Sequence, residues 1–203
     1  MESVQHIREM ITNGILPSDQ QFDAFLPESL RKHADQHFSG VYVIEQATHF
    51  LADQNAPVIL DVGSGSGKFC LIGALIHGNA HFTGIEYREE LVSISQKLAK
   101  DFKIENLDLL HQNILDVHFQ FFNGFFMFNP FHEHRQSSAR MAGFFDHERS
   151  AEEYENHVYN ELSAIQHPAK LVTHYIDPKL IPESFRCVDE KMGGTLLFWQ
   201  THH

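Results

Sequence analysis

Residues 58–70 read VILDVGSGSGKFC. Val58, Ile59, Leu60 and Val62 make a short apolar run that predicts a buried strand, bounded by Pro57 before it and Gly63 after it. Gly63, Gly65 and Gly67 then alternate with Ser64 and Ser66. Residues 68–77, KFCLIGALIH, have the length and apolar content of a packed helix. The stretch therefore reads as strand, glycine turn, helix. Glycine permits positive φ and lets a ligand approach the backbone. A helix N-terminus presents free N–H groups and a partial positive charge. Such a turn suits a nucleotide-like ligand or its charged tail.

Three familiar patterns can be tested against these letters. The dinucleotide pattern G-x-G-x-x-G requires glycine at 68, where Lys68 stands. The phosphate-loop pattern fails at Val62 and Phe69. The hydrolase elbow G-x-S-x-G fails because position 65 is glycine. What remains is acidic-x-G-x-G-x-G, from Asp61 through Gly67. This resembles the first motif of class I S-adenosylmethionine-dependent methyltransferases. The resemblance implies that Asp61 helps orient the methionine part of the cofactor. Gly63, Ser64, Gly65 and Gly67 would pass beneath its sulfonium centre.

Working outward, 203 residues with 42% hydrophobic content suffice for one domain plus an appendage. No apolar run reaches the ~18 residues a membrane span needs. The opening MESVQHIREM lacks the basic-then-apolar layout of a secretory signal. Cys70 and Cys187 are far apart and form no metal spacing, so a reduced, cytoplasmic protein is expected. The net charge of −12 repels phosphate backbones unless a basic patch offsets it locally. The densest basic pieces, Arg31-Lys32-His33 and Lys97 with Lys100 and Lys103, are mixed with acids. Nucleic acid is thus disfavoured as a partner, and a protein or small-molecule methyl acceptor is expected.

Residues 1–56 precede the first strand and read as a helical extension to a domain spanning 57–203. Ser3 can cap a helix carrying Val4, Ile7 and Ile11 that ends at Gly14. Residues 17–26 read as a connection. Pro27 can open a second helix that Gly40 breaks, and 41–52 make a third. Such an extension either covers the cofactor or packs on the sheet as a structural support.

A second strand, HFTGIE, runs from His81 to Glu86. Glu86 falls 21 positions beyond Gly65, near the spacing at which an acid meets a ribose in α/β nucleotide sites. Its carboxylate can accept from both ribose hydroxyls, and Tyr87 can pack on the adenine or ribose. A helix with Leu91, Ile94, Leu98 and Phe102 on one face follows. A third strand over 107–111 then leads to Asn113 and Ile114. The family usually carries an acid at the position of Asn113, where it accepts from the adenine amino group. Asn113 departs from that pattern, although its carbonyl can accept, and Asp116 competes with it.

Residues 121–131, FFNGFFMFNPF, suit a central buried strand ending at Asn129-Pro130-Phe131. Ligands of open α/β sheets lie outside the carboxyl ends of strands. The tripeptide resembles the N-P-P-[YF] motif of methyltransferases that modify planar nitrogens. The resemblance implies that Asn129 and the Pro130 carbonyl accept from the target amine while the Phe131 ring stacks on it. One proline of that motif is missing here. His132-Glu133-His134 follows without a legible third ligand set, so no metal site is expected.

Ser150 with Glu153 starts a helix over 151–166, Lys170–Tyr175 reads as a fifth strand, and residues 185–200 read as a hairpin turning at Gly193-Gly194. The expected fold is α/β: a Rossmann-like, seven-stranded mixed sheet with a helical N-terminal extension. The resemblance implies an S-adenosylmethionine-dependent transfer of methyl to nitrogen. The alternatives are an NAD-dependent oxidoreductase and a non-catalytic binding module on the same sheet.

Overall fold

The structure, a computed structural model, describes residues 3–32, 34–130 and 150–202. Among these residues, seven strands form: β1 Val58–Val62, β2 His81–Glu86, β3 Leu107–His111, β4 Gly124–Phe128, β5 Lys170–His174, β6 Phe185–Lys191 and β7 Leu196–Thr201. They make one sheet of order β3-β2-β1-β4-β5-β7-β6. The first five strands pair in parallel, and β7 runs antiparallel between β5 and β6. The expected α/β, seven-stranded mixed sheet is therefore present. Parallel strands are covered on both faces, which is why β1 and β4 are near-continuous apolar runs.

The helices are α1 Val4–Thr12, α2 Asp19–Asp23, α3 Glu28–Arg31, α4 Ala34–His37, α5 Val41–Ala52, α6 Lys68–Ile76, α7 Glu89–Asp101 and α8 Ala151–Ser163. Residues 17–26, expected to be a plain connection, contain α2. Its start is a capping box: Ser18 accepts from the Gln21 N–H, and the Gln21 side chain accepts from the Ser18 N–H. Phe22 of this short helix is fully buried and stacks on Phe102 at a 5.7 Å ring separation. The single helix expected after Pro27 is divided into α3 and α4.

Two hydrophobic clusters sandwich the sheet. One holds Ile7, Phe22, Leu26 and Leu51 together with Phe69, Phe82 and Phe126. The other holds Val62, Phe125, Met127, Leu162 and Trp199. Alternation along β4 sends Phe126 to the first and its neighbours to the second, as strand pleating requires. The N-terminal helices thus share a core with α6 and β2.

The chain passes from β1 outward to β2 and β3, then returns to add β4 on the opposite side of β1. The carboxyl ends of β1 and β4 therefore flank the reversal of strand order, where open α/β sheets form their ligand crevice. No helix among the described residues is long and apolar enough to cross a membrane.

Candidate functional site

The glycine turn after β1 is built on backbone conformations that side chains resist. Gly63, Gly65 and Gly67 have φ of 74°, 56° and 74°. Gly67 starts α6, and its N–H donates to the Ser64 carbonyl at 2.8 Å. The Ser64 N–H donates to the Ile85 carbonyl, which ties the turn to β2. Close neighbours reinforce the need for glycine. A Cβ on Gly63 would stand 3.0 Å from the Pro130 Cβ, and one on Gly65 would stand 3.2 Å from the Phe38 ring.

Glu86 ends β2 beside this turn and is buried. Its Oε2 accepts from the Gly65 N–H at 2.9 Å, so sheet and turn bring together residues 65 and 86. Arg88 also grips the carboxylate. The Arg88 N–H and Nε donate to Oε1 at 2.9 and 3.0 Å, and Nη2 donates to Oε2 at 3.3 Å. The roughly four acceptor positions of a carboxylate are thereby filled. Nothing in the local sequence pattern singled out Arg88.

Asp61 lies at the inner end of the same crevice and is 3% exposed. The Cys70 thiol donates to its Oδ2 at 3.5 Å. Burial pushes its pKa up to about 7, partly opposed by the thiol contact and helped by the nearby Glu86 charge. Asp61, Gly63 and Ser64 line a cavity with Phe38, Lys68 and Phe128. Lys68, the first residue of α6, is itself buried and lies 2.7 Å from both Asp19 and Asp23 of α2. Asp19 Oδ1 also accepts from the Val41 N–H at 2.9 Å. These contacts clamp the N-terminal segment over the glycine turn. The sequence offered no signal for Phe38 or for the Lys68 pairings, because both join elements distant in the chain.

The remaining expected cofactor residues lie along β2 and β3. Tyr87 is about half exposed, and its carbonyl lies 2.9 Å from His111 Nε2. Asn113 is partly buried. Its Oδ1 accepts from the Leu115 N–H at 3.0 Å, and its Nδ2 donates to the Tyr154 hydroxyl at 3.4 Å. The Asn113 side chain therefore caps a short 3-10 turn over Ile114–Asp116. Ile114 is buried in the second core cluster.

On the other side of the strand reversal, Asn129 follows β4 with φ of 37° and donates its N–H to the His174 carbonyl at 3.2 Å. Asn129 and Pro130 line a second, small and partly open cavity with Met127, Glu155, Tyr175 and Asp177 among its walls. Pro130 against Gly63 joins this cavity to the glycine turn. Phe131 and His132-Glu133-His134 lie outside the described residues.

Comparison with known proteins agrees with this fold. Residues 53–144 match a family model described as a methyltransferase domain. A 58-residue stretch is 36% identical to a tRNA (guanine-N(7)-)-methyltransferase of Prochlorococcus marinus (strain NATL1A), covering 29% of this chain and 27% of that protein. The chain thus matches about a quarter of that curated relative's length. Similar solved structures include a Salinibacter ruber RNA methyltransferase in complex with S-adenosyl-L-homocysteine. It has a TM-score of 0.58 and 18% identity, with 80% of this chain and 92% of that chain covered. A methyltransferase from Geobacter sulfurreducens has a TM-score of 0.64 and 12% identity, with 94% of each chain covered. The relatives named for RNA substrates overturn the expectation that nucleic acid is disfavoured. That expectation used net charge, a sum over the whole chain that carries no information about what one crevice accepts.

Proposed function

Starting from a chain with the fold and crevice of the class I S-adenosylmethionine-dependent methyltransferases, we propose that it moves the cofactor's methyl group to a ring nitrogen of an RNA base. The observation that carries this reading is the abutment of Pro130 on Gly63. It brings the end of β4 that carries Asn129 and Pro130 against the glycine turn, across the strand reversal, and so supports a methyl acceptor there.

The residues present fit the cofactor. The glycine turn holds a left-handed backbone that leads into α6, packed so closely against Pro130, Phe38 and Ser95 that side chains are excluded from it. Glu86 offers a carboxylate for ribose hydroxyls beside that turn once the Arg88 guanidinium yields its acceptor positions, and Tyr87 and Ile114 flank the adenine end. Asn113 contributes at that end through the turn it caps. Asp61 supplies buried negative potential for the cofactor's ammonium group. Bound there, S-adenosylmethionine supplies an electrophilic methyl on a positively charged sulfur.

This chain's own residues then work by placement. The Asn129 side-chain carbonyl and the Pro130 carbonyl accept from the acceptor's N–H groups and turn its lone pair toward the crevice. Glu155 and Asp177 at the cavity wall disfavour a phosphate there, so the base enters and the backbone stays outside. Phe38 and the segment before β1 cover the glycine turn and exclude water. Holding the reactants aligned can supply on the order of 7–11 kcal/mol.

The test is transfer of tritium from methyl-labelled S-adenosylmethionine to unmodified transfer-RNA transcripts, with S-adenosylhomocysteine binding measured in parallel. Label in RNA that is lost in Asn129→Ala, with homocysteine-adduct affinity retained, is the expected result. A protein that binds S-adenosylhomocysteine and labels no RNA overturns the acceptor assignment.

A further inference from the structure

The carboxyl ends of β4 and β5 share an uncommon feature. Asn129 and Tyr175, the residues that follow these paired strands, both have positive φ, at 37° and 56°. Neither is glycine, and such conformations persist only where the surroundings over-determine them. Tyr175 is held by its N–H, which donates to the Thr195 carbonyl at 2.9 Å.

The kink at Tyr175 has a geometric result. Successive side chains of a strand point to opposite faces. Here the turn brings Tyr175 back over its neighbour, so the His174 and Tyr175 rings stack with centroids 4.3 Å apart and 29° between planes. His174 in turn stacks on Phe128 at 5.0 Å and 24°, and Phe128 stands 6.2 Å from Tyr175. His174 is 5% exposed, and among the described residues neither ring nitrogen has a hydrogen-bond partner. Burial lowers its pKa to about 4, so it is a neutral aromatic filler in this cluster.

The three rings join both cavities. Phe128 lines the one that contains Asp61 and Gly63, whereas Tyr175 lines the one that contains Asn129 and Pro130. Tyr175 nonetheless remains 56% exposed. A large aromatic side chain is thus strained into place, backed by buried rings, and left open beside the acceptor end of β4.

We propose that Tyr175 is the platform on which the acceptor's planar ring stacks, a role that rests on the functional reading above. Phe128 and His174 fix the platform from behind. Asn129, held by the His174 carbonyl, sets the edge of the ring that meets the methyl. The acceptor class is a planar heteroaromatic ring, read by its face at Tyr175 and by its N–H edge at Asn129. Tyr175 is more than half exposed, so its replacement leaves the core intact.

The experiment titrates guanosine 5′-monophosphate, and separately ribose 5-phosphate, into protein saturated with S-adenosylhomocysteine, observing the ligand by NMR. The nucleotide binds and the sugar phosphate does not. Tyr175→Leu weakens nucleotide binding about tenfold or more, the scale of base–aromatic stacking, while Tyr175→Phe keeps it. S-adenosylhomocysteine affinity stays within about twofold in both variants, which separates this role from a structural one. Equal nucleotide affinity in Tyr175→Leu and the parent, or no nucleotide binding in the parent, overturns the proposal. Loss of the functional reading is visible separately, as absent S-adenosylhomocysteine binding or absent RNA labelling.

Discussion

Replacing Asp61 with asparagine should stabilise the ligand-free protein at pH 8 relative to pH 5. The wild-type carboxyl is buried at the end of β1, and burial raises its pKa to about 7. In the unfolded chain it titrates near the ordinary value of about 3.9. Between these values the native state holds a proton that the unfolded state has released. The unfolded state then binds fewer protons, so the stability contributed by Asp61 falls as pH rises. It is fully present below about pH 4 and lost progressively up to about pH 7. Integrating the two titrations from pH 5 to pH 8 gives a loss of roughly 2–3 kcal/mol. Asparagine has nearly the same shape and cannot ionise, so the variant escapes that loss. For a chain of 203 residues each kcal/mol moves the melting temperature by about 2–4 °C. The melting temperature of Asp61→Asn, minus that of the parent, should therefore rise by about 5–10 °C between pH 5 and pH 8. Thermal unfolding followed by circular dichroism on matched samples makes the measurement. Other titrating groups are shared by both proteins and cancel in the difference. An identical difference at both pH values would refute the reasoning, because it would mean that Asp61 is ionised in the folded, ligand-free crevice.

Glu86 and Arg88 make opposite predictions for cofactor affinity. Glu86→Gln removes charged acceptors and should weaken S-adenosylhomocysteine binding about tenfold or more by calorimetry. Arg88→Ala frees the acceptor positions that the guanidinium fills, and should tighten binding about three- to tenfold. Gly67→Ala combines a left-handed backbone with a Cβ placed 2.8 Å from the Ser95 Cβ, for a loss of about 2–5 kcal/mol in urea unfolding. Gly193→Ala has a similar φ with nothing within 4 Å among the described residues, and should lose only about 1–2 kcal/mol. Lys68→Met leaves Asp23 and Asp19 without their buried cation and should cost about 3 kcal/mol, with early proteolysis before residue 56 as the visible sign.

The elements that the sequence made legible are those whose signals are local. The run 58–62, the alternating glycines and the apolar helix after them announce a strand, turn and helix within twenty residues. Each forms where expected, because turn chemistry and periodicity act between near neighbours. The span of β2 was readable to its last residue, Glu86, whereas the hydrogen bond from the Gly65 N–H to its carboxylate, which the spacing assigns to a ribose, was not. The Gly193-Gly194 hairpin was likewise legible from its turn. Net charge was the misleading signal, since it averages over surfaces that never meet a substrate.

Tertiary structure decided what distant segments do to one another. The chain's order of strands did not reveal that β7 would lie between β5 and β6, because backbone ladders are alike whichever strands they join. Phe38 over Gly65, Lys68 between two aspartates of α2, and Pro130 against Gly63 are contacts across long stretches of chain. Even Arg88, adjacent to an expected strand, and Tyr175, expected as the last residue of the fifth strand but left outside it by its positive φ, took their conformations from folding. One is turned onto Glu86, and the other is kinked onto His174 by a hydrogen bond to Thr195. The sequence by itself determined the strand, turn and helix units, for these depend on residues a few places apart. Only the assembled sheet decided which of their ends meet, because that depends on packing and register among groups that the chain itself keeps apart.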